Sequence, residues 1–230
     1  MKAMILAAGR GERMRPLTLE TPKPLLPAGG QPLIHYHLKK LVEAGLKEVV
    51  INTAWLGERI EQSLGSGEAF GARIRYSREG QPMETAGGLR HALPLLCDGD
   101  DDWVIVINGD IWTDFDFSRL STLPCSPEVP ATLVLVDNPE HHGSGDFALT
   151  PDGRVVSGDE TQQRLTFAGI SLIHTSLLRH TGDQKLGPVL HRAAGQGQVR
   201  GLYHGGVWFD VGTPERLDTV DAYLRDTKGL

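Results

Sequence analysis

The N-terminal stretch constrains the fold most, because a short apolar run breaks into a glycine-rich loop and is followed by a helix pattern and a second apolar run. Residues 2–8 (KAMILAA) are typical of a strand buried on both faces, and the run ends at Gly9 and Gly11. Residues 31–44 place apolar side chains at helical spacing, and residues 47–53 (KEVVINT) form the next buried strand. This order predicts a right-handed crossover between two parallel strands.

The same alternation continues along the chain. Strand patterns occur at residues 73–77, 103–110, 131–137 and 165–174, and helix patterns at residues 56–64, 89–96 and 214–225. We therefore predict one α/β domain with a Rossmann-like, doubly wound sheet that is mixed but mostly parallel and has helices on both faces. In such sheets ligands bind at the carboxyl ends of the strands, where the strand order reverses.

Composition restricts the partners. The 230 residues include 40% hydrophobic and 23% charged side chains, the balance of a soluble globular protein. The net charge is −6 and no basic run occurs, so no nucleic-acid partner is expected. No apolar run reaches the roughly 18 residues that span a bilayer, so no membrane contact is expected. Cys97 and Cys125 lack metal-ligand spacing and no signal peptide is recognisable, so we expect a cytoplasmic protein.

The loop after the first strand has the features of a phosphate-binding site. Gly9 and Gly11 allow backbone N–H groups to approach an anion, Arg13 offers a planar fork of donors, and Lys23 offers a compact charge. Neither common phosphate motif fits, because a dinucleotide fingerprint needs a glycine where Met14 stands and a P-loop needs Gly-Lys-Ser/Thr. An ordinary surface loop with scattered arginines is the alternative.

Two aspartates follow predicted strands. Asp110 ends the run WVIVINGD, at the strand edge where a divalent cation could bridge it to a phosphate. A Gly-Asp turn of no special role is the alternative, because such turns are common. Asp210 ends an aromatic-flanked strand, and the following Thr213 and Pro214 are a typical N-cap and first residue of a helix.

These motifs resemble the signature of the sugar-1-phosphate nucleotidyltransferases. The signature is a Gly-x-Gly-x-Arg-Leu/Met loop followed about ten residues later by Lys-Pro-Leu-x-Pro, with a closing Trp-x-Asp-x-Gly-Thr/Ser-Pro that residues 208–214 match. Glu12 departs from it, since the family usually has Thr or Ser there. We expect its backbone N–H to face the nucleotide and its carboxylate to turn away, towards a ribose hydroxyl. The matching loop positions are Gly9, Gly11, Arg13, Met14, Pro16, Lys23, Pro24, Leu25 and Pro27.

The resemblance implies a fold, a reaction and a set of site residues. It implies a nucleotide-diphospho-sugar transferase fold with a nucleotide-binding half at about residues 1–115 and a sugar-binding half at about residues 116–230. It implies catalytic roles for Arg13, Lys23, Asp110 and Asp210, with Mg²⁺ on the two aspartates. The implied nucleotide-binding residues are Leu6, Ala8, Gly9, Gly11, Glu12, Arg13, Lys23, Gln81, Met83, Gly87, Gly88 and Asn108, and the implied sugar-phosphate-binding residues are Asn108, Asp146, Glu160 and Gly169.

Within that family the chain looks like the uridylyltransferases that act on N-acetylmuramate 1-phosphate in peptidoglycan recycling. The expected substrates are therefore UTP and a sugar 1-phosphate, and we expect a monomer or a weak homodimer. Mannose-1-phosphate guanylyl transfer and glucose-1-phosphate thymidylyl transfer are alternatives. A regulatory module that binds a nucleotide-sugar without turnover is an alternative of another class, because a fold does not fix an activity.

Two segments of the chain depart from the family pattern, and a histidine pair resembles a ligand or a general base. The base loop reads Met83-Glu84-Thr85-Ala86-Gly87, with Glu84 where relatives commonly have glycine. Relatives carry a Glu-Lys-Pro-like sequence that Glu160 fits, but the lysine is missing here. Arg164, Arg154 or a second Mg²⁺ would have to take its place. The adjacent His141 and His142 are interpreted as loop residues, because no acid partner follows at a recognisable spacing and the reaction needs no base.

Overall fold

Parallel strands with apolar side chains on both faces form the centre of the structure. The computed structural model describes residues 1–99, 102–157, 163–179 and 181–228. Its strands are β1 (Lys2–Leu6), β2 (Pro27–Ala28), β3 (Gln31–Pro32), β4 (Glu48–Thr53), β5 (Arg73–Arg78), β6 (Trp103–Asn108), β7 (Ile111–Thr113), β8 (Ala131–Val136), β9 (Phe147–Leu149), β10 (Val155–Val156), β11 (Arg164–His174), β12 (Val199–Tyr203) and β13 (Trp208–Asp210).

Helices cover both faces of the sheet. They are α1 (Leu17–Glu20), α2 (Leu33–Glu43), α3 (Gly57–Leu64), α4 (Thr85–Leu96), α5 (Ser118–Ser121), α6 (Ser176–Arg179), α7 (Leu186–Gly195) and α8 (Pro214–Lys228). Short 3-10 turns lie at Glu12–Met14, Lys23–Leu25, Glu68–Phe70 and Glu140–His142. Across the described residues no helix combines the length and hydropathy that crossing a bilayer requires.

The strand order places a ligand edge in the middle of the sheet. Strands β5, β4, β1 and β6 run parallel in that order, then β11 joins β6 antiparallel, β8 joins β11 antiparallel and β12 joins β8 in parallel. Leu6, the last residue of β1, is in register with Asn52 on one side and Asn108 on the other. The strand order reverses between β1 and β6, so the carboxyl ends of β4, β1 and β6 frame the predicted ligand position.

Alternating side chains of β1 divide the core between the two faces. Ile5 packs with Leu38 of α2 on one face, and its neighbour Met4 packs with Leu89 of α4 on the other. Both β1 side chains are fully buried, as period-two alternation requires in a central strand. The packing on both faces of the sheet therefore fixes the loop that follows β1. This loop, residues 7–16, is called the phosphate loop after its predicted role.

A third apolar cluster lies under the site. Met14, at the end of the phosphate loop, packs with Leu33 of α2, Trp112 of β7 and Val220 of α8. Met14 and Val220 are fully buried. The C-terminal helix is thereby anchored to the N-terminal loop, which brings the two ends of the chain to one site.

The predicted start of α4 is wrong. We expected a glycine turn ahead of a helix at residues 89–96, but the helix begins at Thr85 and includes the glycine pair. The reason lies in a distant segment: the carbonyl of Gln184 accepts the N–H groups of Ala86 (2.8 Å) and Gly87 (3.0 Å), and the hydroxyl of Thr85 accepts the N–H of Leu186. The bonds to Gln184 satisfy N-terminal N–H groups of α4, and the bond to Thr85 satisfies the first N–H of α7.

Candidate active site

A pocket of about 480 Å³ opens at the carboxyl ends of β1, β4 and β6. It lies beside the reversal in strand order, where open α/β sheets bind ligands. Among the predicted site residues, the lining includes Leu6, Ala8, Gly9, Gly11, Glu12, Arg13, Lys23, Met83, Asn108 and Asp110. Arg10, Asn52, Thr85 and Gly212 also line it.

The two glycines of the phosphate loop serve different purposes. Gly11 has φ +61°, and a Cβ there would approach the Thr18 methyl carbon at 2.8 Å, so the turn itself requires glycine. The Gly11 carbonyl also accepts the Thr18 hydroxyl at 2.7 Å. A Cβ at Gly9 would meet no protein atom within 4 Å. The space beside Gly9 is part of the pocket, and a side chain there would occupy ligand volume.

The loop cations face solvent and the pocket. Arg10 and Arg13 are exposed and, within the described residues, form neither an ion pair nor a side-chain hydrogen bond. Glu12 carries the charge that departs from the family pattern, and its carboxylate lies 3.9 Å from a guanidinium nitrogen of Arg15. The ribose contact expected of Glu12 stays a prediction.

Lys23 and Asp110 form an ion pair at the floor of the pocket. The Nζ of Lys23 lies 2.7 Å from Oδ2 of Asp110, and only 10% of the lysine side chain is exposed. Prolines on either side of Lys23 fix its 3-10 turn. Breaking such a pair by removing one partner leaves a largely desolvated charge, which makes the pair sensitive to substitution.

Asp110 and Asp210 converge although a hundred positions separate them. Asp110 precedes β7 and Asp210 ends β13, and these strands pair antiparallel with Asp210 opposite Ile111. The N–H of Val211 donates to the Asp110 carbonyl at 2.9 Å. No group of three or more His, Cys, Asp or Glu side chains able to hold a metal occurs in the described part of the chain. Two carboxylates still fit Mg²⁺, which is commonly bound by one or two carboxylates together with substrate phosphates and water.

Arg216 and His141 complete the surroundings of Asp210. Sequence reasoning did not single out Arg216, and it interpreted His141 as a loop residue without an acid partner, which is wrong because Asp210 lies beside it. Nη1 of Arg216 lies 2.5 Å from Oδ2 of Asp210 and 2.7 Å from Nε2 of His141, which is itself 3.4 Å from the same carboxylate oxygen. The position of Arg216 in the sequence was the one signal that could have indicated its contact with Asp210. Arg216 lies in the first turn of α8, and helical side chains point back towards the N-terminus, where Asp210 precedes the helix.

A buried polar chain joins the phosphate loop to the base loop. The N–H of Ala7 donates to Asn52 (2.7 Å), the Asn52 amide donates to Glu79 (2.8 Å), and Glu79 accepts the N–H of Met83 (2.7 Å). Asn52 and Glu79 are buried, and their side chains also pack against Gly88, where a Cβ would approach Glu79 at 2.6 Å. Sequence reasoning did not single out either residue.

Three predicted base-binding residues lie outside the pocket lining. Gly87 and Gly88 are buried within α4, and a Cβ on Gly87 would meet the Gln184 side chain at 2.6 Å. Gln81 is exposed on the loop before the helix. The lining on this side comes instead from Met83, Glu84 and Thr85.

The predicted sugar-phosphate residues are divided between the pocket and its support. Asn108 lines the pocket, and Gly169 (φ +72°) packs under it, where a Cβ would approach the Asn108 amide nitrogen at 2.7 Å. The Asp146 carboxylate accepts the N–H of Phe167 at 2.8 Å and lies 3.0 Å from His142. Glu160 lies outside the described residues.

The comparisons with known proteins agree with this geometry. Residues 2–160 match the family model described as nucleotidyl transferase. The chain therefore belongs to the nucleotidyl transferase family, and the predicted fold and enzyme class are confirmed.

Individual relatives show which members of the family this chain is similar to. The chain is 48% identical to N-acetylmuramate alpha-1-phosphate uridylyltransferase of Neisseria meningitidis serogroup B, over 96% of this chain and 97% of that protein. It is 34% identical to the protein of the same name from Caulobacter vibrioides, over 97% of each chain. A crystal structure from Bacillus anthracis, described as a glucose-1-phosphate thymidylyltransferase, has a TM-score of 0.85 at 22% identity and covers 98% of this chain and 96% of its own. That likeness shows the fold alone.

Proposed function

We propose that the chain transfers the uridylyl group of UTP to N-acetylmuramate α-1-phosphate and releases pyrophosphate, with Mg²⁺ as its cofactor. The observation that carries this proposal is the 48% identity to the Neisseria meningitidis enzyme over nearly the full length of both proteins. Asp110 and Asp210 would hold the metal, which would offset negative charge on the phosphoryl oxygens.

In the proposed reaction a phosphate oxygen of the sugar 1-phosphate attacks the α-phosphorus of UTP. The bond from the α-phosphorus to the bridging oxygen breaks, and pyrophosphate leaves with that electron pair. The attacking phosphate is already anionic at neutral pH, so no general base is needed. The protein's task is to align two anions and neutralise their charge.

The phosphate loop would hold the triphosphate. The open space beside Gly9 admits phosphate oxygens, and Arg13 extends from the same loop without a protein partner among the described residues. Lys23 is bound to Asp110 in the ligand-free chain. Asp110 would hold the cation through that carboxylate, and the ammonium group of Lys23 beside it would bind the α-phosphate.

The base loop would hold the uracil. Met83, Glu84 and Thr85 line this end of the pocket, and the bond from Met83 N–H to Glu79 fixes the start of the loop. Gly87 and Gly88 would act by letting α4 pack closely against Gln184 and Glu79. We also propose a reducing, cytoplasmic location, in keeping with the free thiols of Cys97 and Cys125.

Pyrophosphate release with a matrix of substrates tests the proposal. UTP, dTTP, GTP, CTP and ATP are each paired with the 1-phosphates of N-acetylmuramate, N-acetylglucosamine, glucose and mannose, with Mg²⁺ or with EDTA. We expect release with UTP and N-acetylmuramate α-1-phosphate, and its loss with EDTA. Release only with GTP and mannose 1-phosphate, or only with dTTP and glucose 1-phosphate, would overturn the substrate assignment. Nucleotide binding without release from any pair would indicate a regulatory module.

A further inference from the structure

Arg216 lies directly beside Gly212, which lines the pocket. A Cβ on the pocket-lining Gly212 would collide with the Arg216 guanidinium, whose Cζ would be 2.7 Å away. The absence of a side chain at Gly212 thus leaves room for the guanidinium beside the pocket. We propose that Arg216 binds the phosphate of the acceptor, the sugar 1-phosphate. This inference rests on the proposed function and names a residue for its second substrate.

The guanidinium has donors to spare. Arg216 uses Nη1 for both of its described side-chain contacts, the carboxylate of Asp210 and the ring of His141. Within the described residues, Nη2 and Nε donate to no protein group. The Arg216 side chain is 23% exposed, so these donors are oriented by a partly buried ion pair rather than free in solvent. A planar fork with unused N–H groups matches two oxygens of a phosphate.

The distribution of charge favours the acceptor phosphate over the triphosphate. Arg10, Arg13 and Lys23 line the pocket from the loop after β1, on the nucleotide half of the site. Arg216 enters from α8 beside Asp210, across the β7 and β13 pairing. An in-line displacement brings the attacking phosphate to the α-phosphorus from the face opposite the leaving pyrophosphate. The acceptor phosphate, as the second anion in the site, therefore needs a cation beside Asp210 on the α8 side.

Other arginines of the second half are less suited to this role. Arg154 pairs with Asp152 at 2.7 Å, and Arg192 pairs with Asp183. None of the three arginines is itself part of the pocket lining, but Arg216 lies directly beside the lining residue Gly212. Arg216 also binds a candidate metal ligand, Asp210, so it is placed at the reacting end of the site.

Substitution of Arg216 tests the inference through the two substrates separately. Arg216→Gln removes the charge at similar length, and Arg216→Lys keeps the charge but loses the fork. Arg225→Gln is the matched control, because Arg225 lies on the same helix and pairs with Asp221 at 2.7 Å. We expect Arg216→Gln to raise KM for the sugar 1-phosphate on the order of 10- to 100-fold, the effect of losing a charge-assisted hydrogen bond. KM for UTP should change less than about 2-fold, Arg216→Lys should be intermediate, and Arg225→Gln should match wild type.

A role confined to neutralising Asp210 predicts a different result. In that case Arg216→Gln would alter Mn²⁺ binding to the nucleotide-free protein, measured by electron paramagnetic resonance, and would leave the acceptor KM unchanged. An unchanged acceptor KM, or equal changes for both substrates, would overturn the inference. Thermal unfolding of each variant checks that the comparison concerns folded protein.

Failure of the proposed function would look different from failure of this inference. The former appears in wild-type protein as no pyrophosphate release with UTP and N-acetylmuramate α-1-phosphate. The Arg216 variants are then compared with whichever sugar 1-phosphate supports release. If none does, calorimetric binding of inorganic phosphate to the nucleotide-free protein decides, and equal affinity of wild type and Arg216→Gln would refute the role of Arg216.

Discussion

The phosphate loop and the α8 side of the pocket hold their cations in opposite ways. On the loop, the exposed side chains of Arg10 and Arg13 have no ion-pair partner among the described residues. On the α8 side, Arg216 is held by Asp210 and by His141. The loop therefore presents positive charge before any ligand arrives, whereas the α8 side presents a neutralised pair. On the loop an anion meets net positive charge, whereas on the α8 side it meets Nη2 and Nε of a guanidinium whose Nη1 keeps its contacts with Asp210 and His141.

The largest loss of activity is expected when the carboxylate of Asp210, on the α8 side, is removed. Asp210→Asn takes away one proposed metal ligand and the partner of Arg216, so kcat should fall on the order of 10²-fold or more, by analogy with lost electrostatic stabilisers. Steady-state pyrophosphate release measures it. The control is Asp218→Asn, an exposed carboxylate on the same helix, which should retain wild-type turnover. Normal turnover of Asp210→Asn with Mg²⁺ would refute the assignment of Asp210 as a metal ligand.

The second-largest loss of activity is expected on removing the charge of Lys23, which binds Asp110. Lys23→Met keeps the length and apolar stem of the side chain but removes the charge beside Asp110. We expect kcat to fall by about 10²-fold, because the charge developing at the α-phosphate loses its nearest cation. Lys39→Met, an exposed lysine on α2, is the control. A change in KM for UTP with kcat intact would restrict Lys23 to ground-state binding.

Two glycines of one loop should separate folding from ligand binding. Gly11→Ala forces a left-handed backbone and a contact with Thr18, and should lower the free energy of unfolding by about 1–3 kcal/mol. Gly9→Ala meets no protein atom, so stability should be retained while KM for UTP rises by about 10-fold. Urea unfolding and steady-state kinetics on both variants measure the two effects. A destabilised Gly9→Ala with normal KM for UTP would show that its space is structural.

The smallest effect concerns His37, a fully buried histidine behind Asp110. The pKa of His37 is lowered to about 4, mainly by burial; a backbone hydrogen bond at Ile111 opposes this shift, and the smaller effects of Lys40, which lowers the pKa, and Asp110, which raises it, follow. Well above pH 6.5 the side chain is neutral in both folded and unfolded chains. As the pH falls through 6.5 the unfolded chain binds a proton that the folded chain excludes, so the free energy of unfolding should fall by about 1.5 kcal/mol between pH 6.5 and pH 5.

Replacing the imidazole measures that contribution. His37→Asn should flatten the difference in urea unfolding between pH 6.5 and pH 5 by the stated amount, whereas His91→Asn, at an exposed position, should leave it unchanged. Equal pH dependence of wild type and His37→Asn would show that His37 is not the group that titrates on unfolding.

Local patterns predicted the sheet well because its strands are short, apolar and separated by helix patterns. The nearly continuous burial of β1, β4 and β6 follows from the apolar run in each. The place of the glycine-rich loop in the pocket lining was also predictable, since its glycines and cations are close in sequence, whereas its binding of phosphate stays a prediction. Both features depend on neighbours in sequence, which is the information that a single chain displays.

The α8 side could not be predicted in the same way. The convergence of Asp110 and Asp210 depends on the pairing of two short strands, and the contact of Arg216 with His141 joins residues 75 positions apart. The start of α4 depends on the carbonyl of Gln184. In each case a distant group supplies the deciding hydrogen bond, and no local pattern contains it.

The buried pair of Asn52 and Glu79 has a consequence for substrate choice. Because the pair bonds to the backbone of Ala7 at one end and of Met83 at the other, the separation of the two loops is set before a nucleotide enters. A base that displaced Met83 would pull on the same side chains that hold the start of the phosphate loop. Under the proposed function, selection of the base by size and alignment of the α-phosphate would therefore depend on the same two side chains, and a base that is too large should lower turnover as well as affinity.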